Sequence, residues 1–392
     1  MSHPSASNLL TTPEADQERG GYVHTLREIR QQPFTVLDTC ERMLARAYDL
    51  KQCLEIVRAV VFTGSGSSEY VGSCVQSAIQ AELGIVTQTI GSGTLLTRGG
   101  RALPPLRPLL LVSLARSGDS PESGAVVQLL LETEPEIRHL AVTCNAIGKL
   151  VTRHESDPRV SIIALDDRTN DRSLVMTSSF TGLAIAARSL GFLADPESYR
   201  ALCGRLSRIL GHVINNHFDR LESAIQWNFT RAVFLGSGSN FAAAREAGLK
   251  MLEMTAGRVA TLSESYLALR HGPMSFLNRE SLAVCFLSSE PVTRLYEADL
   301  IRELDRKKLS RIKVIIGEDI PRDLLNAKDV AIECPRLGAM GEDACLVHVV
   351  VGQLLAFFRC LKEGLRPDSP SESGVINRVV GGFRLHTDGK GP

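Results

Sequence analysis

The chain has 392 residues, 44% of them hydrophobic and 22% charged, which fits two globular domains, each large enough to bury a core. Its 44 Lys and Arg balance 44 Asp and Glu, so no net field draws nucleic acid or an anionic membrane, and an anion must be held by a local site. Nine scattered cysteines include no C-x-x-C pair; they indicate neither a disulfide framework nor a zinc site, and read as reduced, buried thiols of a cytosolic protein.

Residues 1–20 are polar, lack the apolar centre of a signal peptide, and read as a disordered arm. From 25 to 53 the apolar spacing is helical, with Pro33 separating two helices. Alternating strands and helices follow. Residues 59–63 predict a strand, then a Gly/Ser turn and a helix to about 83. Strands are expected at 108–114, 139–144 and 160–165, with a helix at 122–132 that carries Pro121 at its first position. The second half repeats the order. Strands are expected at 232–235, 281–287, 313–316 and 329–333, with helices at 241–254 and 343–361. No apolar stretch is long enough and uninterrupted enough to span a bilayer. The pattern predicts an α/β fold of two tandem domains, each a parallel sheet with helices on both faces, after a helical lead-in. The expected divisions are 1–50, 51–215, 216–366 and a loop-like tail at 367–392.

Val61-Phe62-Thr63-Gly64-Ser65-Gly66-Ser67 recurs as Val233-Phe234-Leu235-Gly236-Ser237-Gly238-Ser239. One such turn is equally well an ordinary capped strand–helix junction, and it is not the G-x-G-x-x-G dinucleotide pattern. Repetition favours a duplicated binding fold whose turn hydroxyls and helix N–H groups face a phosphate. Arg116-Ser117-Gly118-Asp119-Ser120 offers the same chemistry after another buried strand, and Met176-Thr177-Ser178-Ser179 is a further hydroxyl-rich start. Glu246, Lys250 and Glu253 share one helix face, which on spacing alone reads as a surface ion pair. Beyond them, His271 stands before Gly272-Pro273, a plausible proton carrier held in a turn.

Together these phrases resemble the sugar isomerase (SIS) family across nearly the whole chain, and most closely its AgaS branch: R-S-G-D-S-P-E-S at 116–123, C-N at 144–145, M-T-S-S at 176–179, R-H-G-P at 270–273 and N-R-V-V at 377–380. The resemblance implies a phosphate and sugar site of Ser67, Ser68, Arg116, Ser117, Ser120 and Ser178. It implies Glu253 as the base moving a proton between C1 and C2, and His271 as a ring-opening group that can come from a neighbouring subunit. Glu246, Lys250 and Arg378 would support them. Arg378 stands where the family's glucosamine-6-phosphate synthase has a lysine; arginine forms no Schiff base. Ser2 rather than cysteine follows Met1, so ammonia delivery from glutamine is not expected. The implied reaction is deamination of galactosamine 6-phosphate to tagatose 6-phosphate, by a cytoplasmic homodimer or higher homo-oligomer, with no metal or organic cofactor and no nucleic-acid or membrane partner. The alternatives are a simple tagatose-6-phosphate type aldose–ketose isomerase, a glucosamine-6-phosphate deaminase, and a non-catalytic sugar-phosphate sensor.

Overall fold

In a computed structural model describing residues 6–381 and 384–386, two five-stranded parallel sheets are built the same way. The first comprises β1 (Ala59–Thr63), β2 (Val86–Thr89), β3 (Leu109–Ala115), β4 (Ile137–Thr143) and β5 (Val160–Ala164), in the order β2-β1-β3-β4-β5. The second comprises β6 (Arg231–Leu235), β7 (Ala260–Glu264), β8 (Leu282–Phe286), β9 (Ile312–Gly317) and β10 (Val330–Glu333), and the order β7-β6-β8-β9-β10 repeats the first. Central strands such as AVVFT and LLLVSLA are buried at every residue because helices cover both faces. The edge strands β2 (VTQT) and β7 (ATLSE) carry no apolar run. They are strands because a paired neighbour supplies the ladder, Val61 facing Gln88 and Phe234 facing Ser263, which periodicity alone does not reveal.

Residues 6–20 correct the expectation of an arm. Helices Ala6–Thr11 and Glu14–Gly20 form there. The second ends in a left-handed Gly21 (φ +68°), with the Tyr22 N–H returning to the Gln17 carbonyl at 3.2 Å. Leu9 and Tyr22 are buried against the hollow beside Phe358, and that burial offsets the ordering entropy. The lead-in continues as Val23–Arg30, Gln32–Leu44 and Ala47–Leu54, with Pro33 in the first turn of its helix. Residues 1–5, 382–383 and 387–392 are not described, and with them Ser2 and the far end of the expected tail.

The inner faces of the two sheets share one contiguous core, in which Phe62 and Val112 belong to the same cluster as Phe234, Val284, Leu354 and Phe357. Helix Cys345–Lys362 runs through it against helix Ser239–Met254. Gly352 permits that closeness, because a Cβ there would overlap Ala247. The segment Leu337–Lys362 is long and apolar enough to cross a membrane, yet it is almost wholly buried inside the protein. All nine cysteines are unpaired, and all but Cys53 are buried.

Candidate active site

In a sheet of order 2-1-3-4-5, ligands bind beyond the carboxyl ends of the strands, where the order reverses. In the first sheet that point lies between β1 and β3, the strands that lead into Gly64-Ser65-Gly66-Ser67-Ser68 and Arg116-Ser117-Gly118-Asp119-Ser120. Gly64 has no room for a side chain, since a Cβ would stand 2.6 Å from that of Ser68, and Gly66 takes φ +57°, ψ −125°, where a side chain is strained. The β3 loop is pinned from the side: Asn145 Nδ2 donates to the Ser117 carbonyl at 2.9 Å, and the Leu150 N–H to that of Gly118 at 2.8 Å. The helices that follow, Ser67–Leu83 and Pro121–Thr133, both begin without a side-chain cap, which leaves their N-termini suited to an anion.

The second half contributes one helix to this mouth. Helix Ser239–Met254 packs across helix Ser67–Leu83, and the Arg245 guanidinium lies 4.2 Å from the centre of the Tyr70 ring. Lys250 is fully buried on that helix, its Nζ 3.0 Å from Ser67 Oγ, 3.3 Å from Glu246 Oε1 and bonded to Glu253 Oε2. Burial pulls the ammonium's pKa down, but Glu246 and Glu253 outweigh it and hold Lys250 above its ordinary value. Burial pushes the Glu246 carboxyl up to about 7, against the opposing pull of Lys250. Glu253 is the partly exposed end of this trio, turned toward the cavity.

That cavity, of about 250 Å³, collects Ser67, Ser68, Arg116, Ser117, Ser120, Lys250, Glu253 and Arg378 in one lining. Glu246 stands immediately behind it, on Lys250. Two expected members lie elsewhere. Ser178 is fully buried and gives its hydroxyl to Asp171 at 2.5 Å, so it orders the turn before helix Ser178–Arg188 instead of lining the cavity. His271 is exposed, follows the short helix Ala268–Arg270 after β7, and takes no part in its own chain's cavity. Arg116 is present but committed: its guanidinium donates to the carbonyls of Ser173 (3.3 Å), Leu174 (2.9 Å) and Arg378 (2.5 Å). Arg378 likewise bonds Asn170 Oδ1 (2.5 Å) and the Asp171 carbonyl (2.7 Å).

Glu122, Met176, Asn377 and Val380 stand within the quoted family phrases without a site role being assigned to them, and Ile376, on the same strap as Asn377 and Val380, stands outside those phrases; all five also line the cavity. Glu122 Oε2 is enclosed there and, among the described residues, has no hydrogen-bond partner. Its place two residues after Ser120, in the first turn of a helix, was the available signal. The strap has no periodicity to betray it.

At the corresponding strand ends of the second half, backbone N–H groups and turn hydroxyls are bonded within the chain itself. Glu290 caps helix Pro291–Lys307, accepting from the N–H groups of Val292 (3.2 Å) and Thr293 (2.6 Å). The buried Glu297 accepts from the Ser288 N–H at 2.8 Å. Ser239 donates to the Glu342 carbonyl at 2.8 Å.

Two matching sheets, the first with this polar cavity at its strand ends, have a tandem sugar isomerase architecture. A Streptomyces coelicolor protein of the AgaS type is 37% identical over 375 residues, 93% of this chain and 96% of that protein. The D-galactosamine-6-phosphate deaminase AgaS of Escherichia coli O157:H7 is 33% identical over 92% of this chain and 95% of its own length. The structure of a tagatose-6-phosphate ketose/aldose isomerase from Escherichia coli superposes with a TM-score of 0.82 at 30% identity, covering 93% of this chain and 97% of that one. No protein-family model matches the chain. The chain belongs to the AgaS family of sugar isomerase proteins.

Proposed function

We propose that this chain is an enzyme that converts D-galactosamine 6-phosphate and water into D-tagatose 6-phosphate and ammonia. The observation that carries the reading is the meeting, in one cavity, of two uncapped helix N-termini from the first half with the Lys250-held Glu253 from the second. The names of the AgaS relatives support it.

The phosphate sits at the two N-termini, with the hydroxyls of Ser67, Ser68, Ser117 and Ser120 around it, and anchors the open-chain sugar. Glu253 removes the C2 proton of the aldehyde form. The electron pair becomes the C1–C2 double bond, and the C1 oxygen, charged in the transition state, is met by the Lys250 ammonium. Glu253 returns its proton to C1 as the nitrogen lone pair closes an iminium at C2; the C1 oxygen takes a proton from Lys250 to become the hydroxyl, and Lys250 regains one from the iminium nitrogen, leaving an imine at C2. Water adds there and ammonia departs. Glu122 accepts a hydrogen bond from a sugar hydroxyl near the phosphate end. His271 assists ring opening in the cavity of a neighbouring copy, a role supported by its exposure and its distance from its own chain's cavity lining. The same proton shuttle without the imine step would interconvert an aldose and a ketose phosphate, as the name of the Escherichia coli structural relative records.

Ammonia release, measured on galactosamine 6-phosphate and glucosamine 6-phosphate beside interconversion of unaminated sugar phosphates, separates these readings. The deaminase reading requires ammonia from an aminated substrate. Interconversion alone would replace it with the isomerase. Glu253→Gln lowers kcat by at least about 10³-fold with sugar-phosphate binding retained. A mixture of Glu253→Gln and His271→Ala chains, co-refolded, regains activity that neither has alone. Failure to regain it removes His271 from the neighbouring site.

A further inference from the structure

Arg116 sits in the loop that receives the phosphate, yet its guanidinium is spent on protein. Its Nη1 donates to the carbonyls of Ser173 and Leu174, and its Nη2 to that of Arg378 at 2.5 Å. It is 8% exposed. Arg378 reaches back to the same segment through Asn170 Oδ1 and the Asp171 carbonyl. Segment 170–174 is itself fixed by two buried carboxylates. Asp171 accepts from the Thr177 and Ser179 N–H groups (2.7 and 2.9 Å), and Glu28 from the Arg172 N–H (2.6 Å). The strap residues on either side of Arg378 form one wall of the cavity. Among the described residues, the other bonds at this end of the tail are local, such as the Ile376 N–H to Ser371 Oγ.

We propose that Arg116 is a positioning residue: it fastens the C-terminal strap, through the Arg378 carbonyl, across the sugar cavity, so that the loop receiving phosphate and the strap enclosing the sugar are one mechanical unit. The geometry supports this over a direct phosphate contact, because three of the guanidinium's five N–H groups, both on Nη1 among them, are already directed at backbone carbonyls. Lysine keeps the charge but lacks the planar fork that spans the two segments. The proposal rests on the sugar-phosphate reading of the cavity.

The test is Arg116→Lys in the full chain, assayed with galactosamine 6-phosphate and with inorganic phosphate as competitor. A strap fastener raises KM at least tenfold and moves the inhibition constant of inorganic phosphate less than twofold. A rise in the phosphate constant parallel to KM makes Arg116 a phosphate ligand and overturns the proposal. Trypsin supplies a readout independent of turnover. Cleavage at the strap, after residue 378, accelerates at least fivefold in Arg116→Lys, and an unchanged rate overturns the proposal. A wild-type chain inert toward hexosamine phosphates, with the acceleration still seen in Arg116→Lys, would sink the functional reading and leave the fastener standing.

Discussion

Lys250 holds its positive charge almost entirely out of solvent, between the carboxyl groups of Glu246 and Glu253. Removing one member of a buried charged group leaves the others uncompensated, at a cost of about 3–5 kcal/mol, whereas replacing the pair by uncharged groups is far milder. Lys250→Met is therefore expected to lower stability by about that amount in urea unfolding, and Glu246→Gln with Lys250→Met to recover most of it. If the double variant is no better than the single one, the loss is one of packing instead. The spacing of Glu246, Lys250 and Glu253 told of a shared face, but it could not tell that the face points inward. An exposed ion-pair helix has the same i, i+4, i+7 pattern; burial here comes from helix Ser67–Leu83, more than 150 positions away in sequence. Ser178 failed for the complementary reason. Hydroxyls at a helix start look alike whether they face a ligand or an internal carboxylate, and only the fold placed Asp171 beside this one.

The repeated turn and its helix are the units that duplication copied. Gly66 and Gly238 adopt the same backbone conformation, φ +57° with ψ −125° and −130°, so alanine at either should cost about 1–3 kcal/mol. The functional consequence should differ. Gly66→Ala raises KM for the sugar phosphate, and Gly238→Ala leaves KM within about twofold, because only the first turn opens on the cavity. Equal KM effects would contradict that division. The corresponding strand ends of the second half can be probed through Glu297, whose carboxyl burial pushes up to about 7 against hydrogen bonds from Ser288 and Ser237. The folded form holds a proton that the unfolded chain releases near pH 4.5. This contribution is thus fully present below about pH 4.5 and is lost as pH rises through about 7. Between pH 5 and pH 8 the wild-type Tm should fall more than that of Glu297→Gln, and parallel curves would refute the assignment. The central strands and both glycine turns were legible because burial on two faces leaves continuous apolar runs. The edge strands β2 and β7 and the helices of residues 6–20 were not, since they owe their form to a neighbour.

At the scale of the molecule, the two halves are joined along one core, and the helix that brings Glu253 to the first half's mouth is also one wall of that seam. Its depth is set where Gly352 of helix Cys345–Lys362 lies on Ala247. A single methyl inserted there has nowhere to go, because a packed interior transmits displacement instead of absorbing it. Gly352→Ala should therefore shift helix Ser239–Met254 and lower kcat at least tenfold with little change in KM, as measured by the same ammonia assay on chains shown to be folded by circular dichroism at the assay temperature; a loss of activity matched by an equal loss of folded chain would show a general loss of folding instead. On the proposed reaction, a glycine with no chemistry of its own thus acts as the spacer behind the helix of Glu253, and the tolerance of the site is decided in the packed interior.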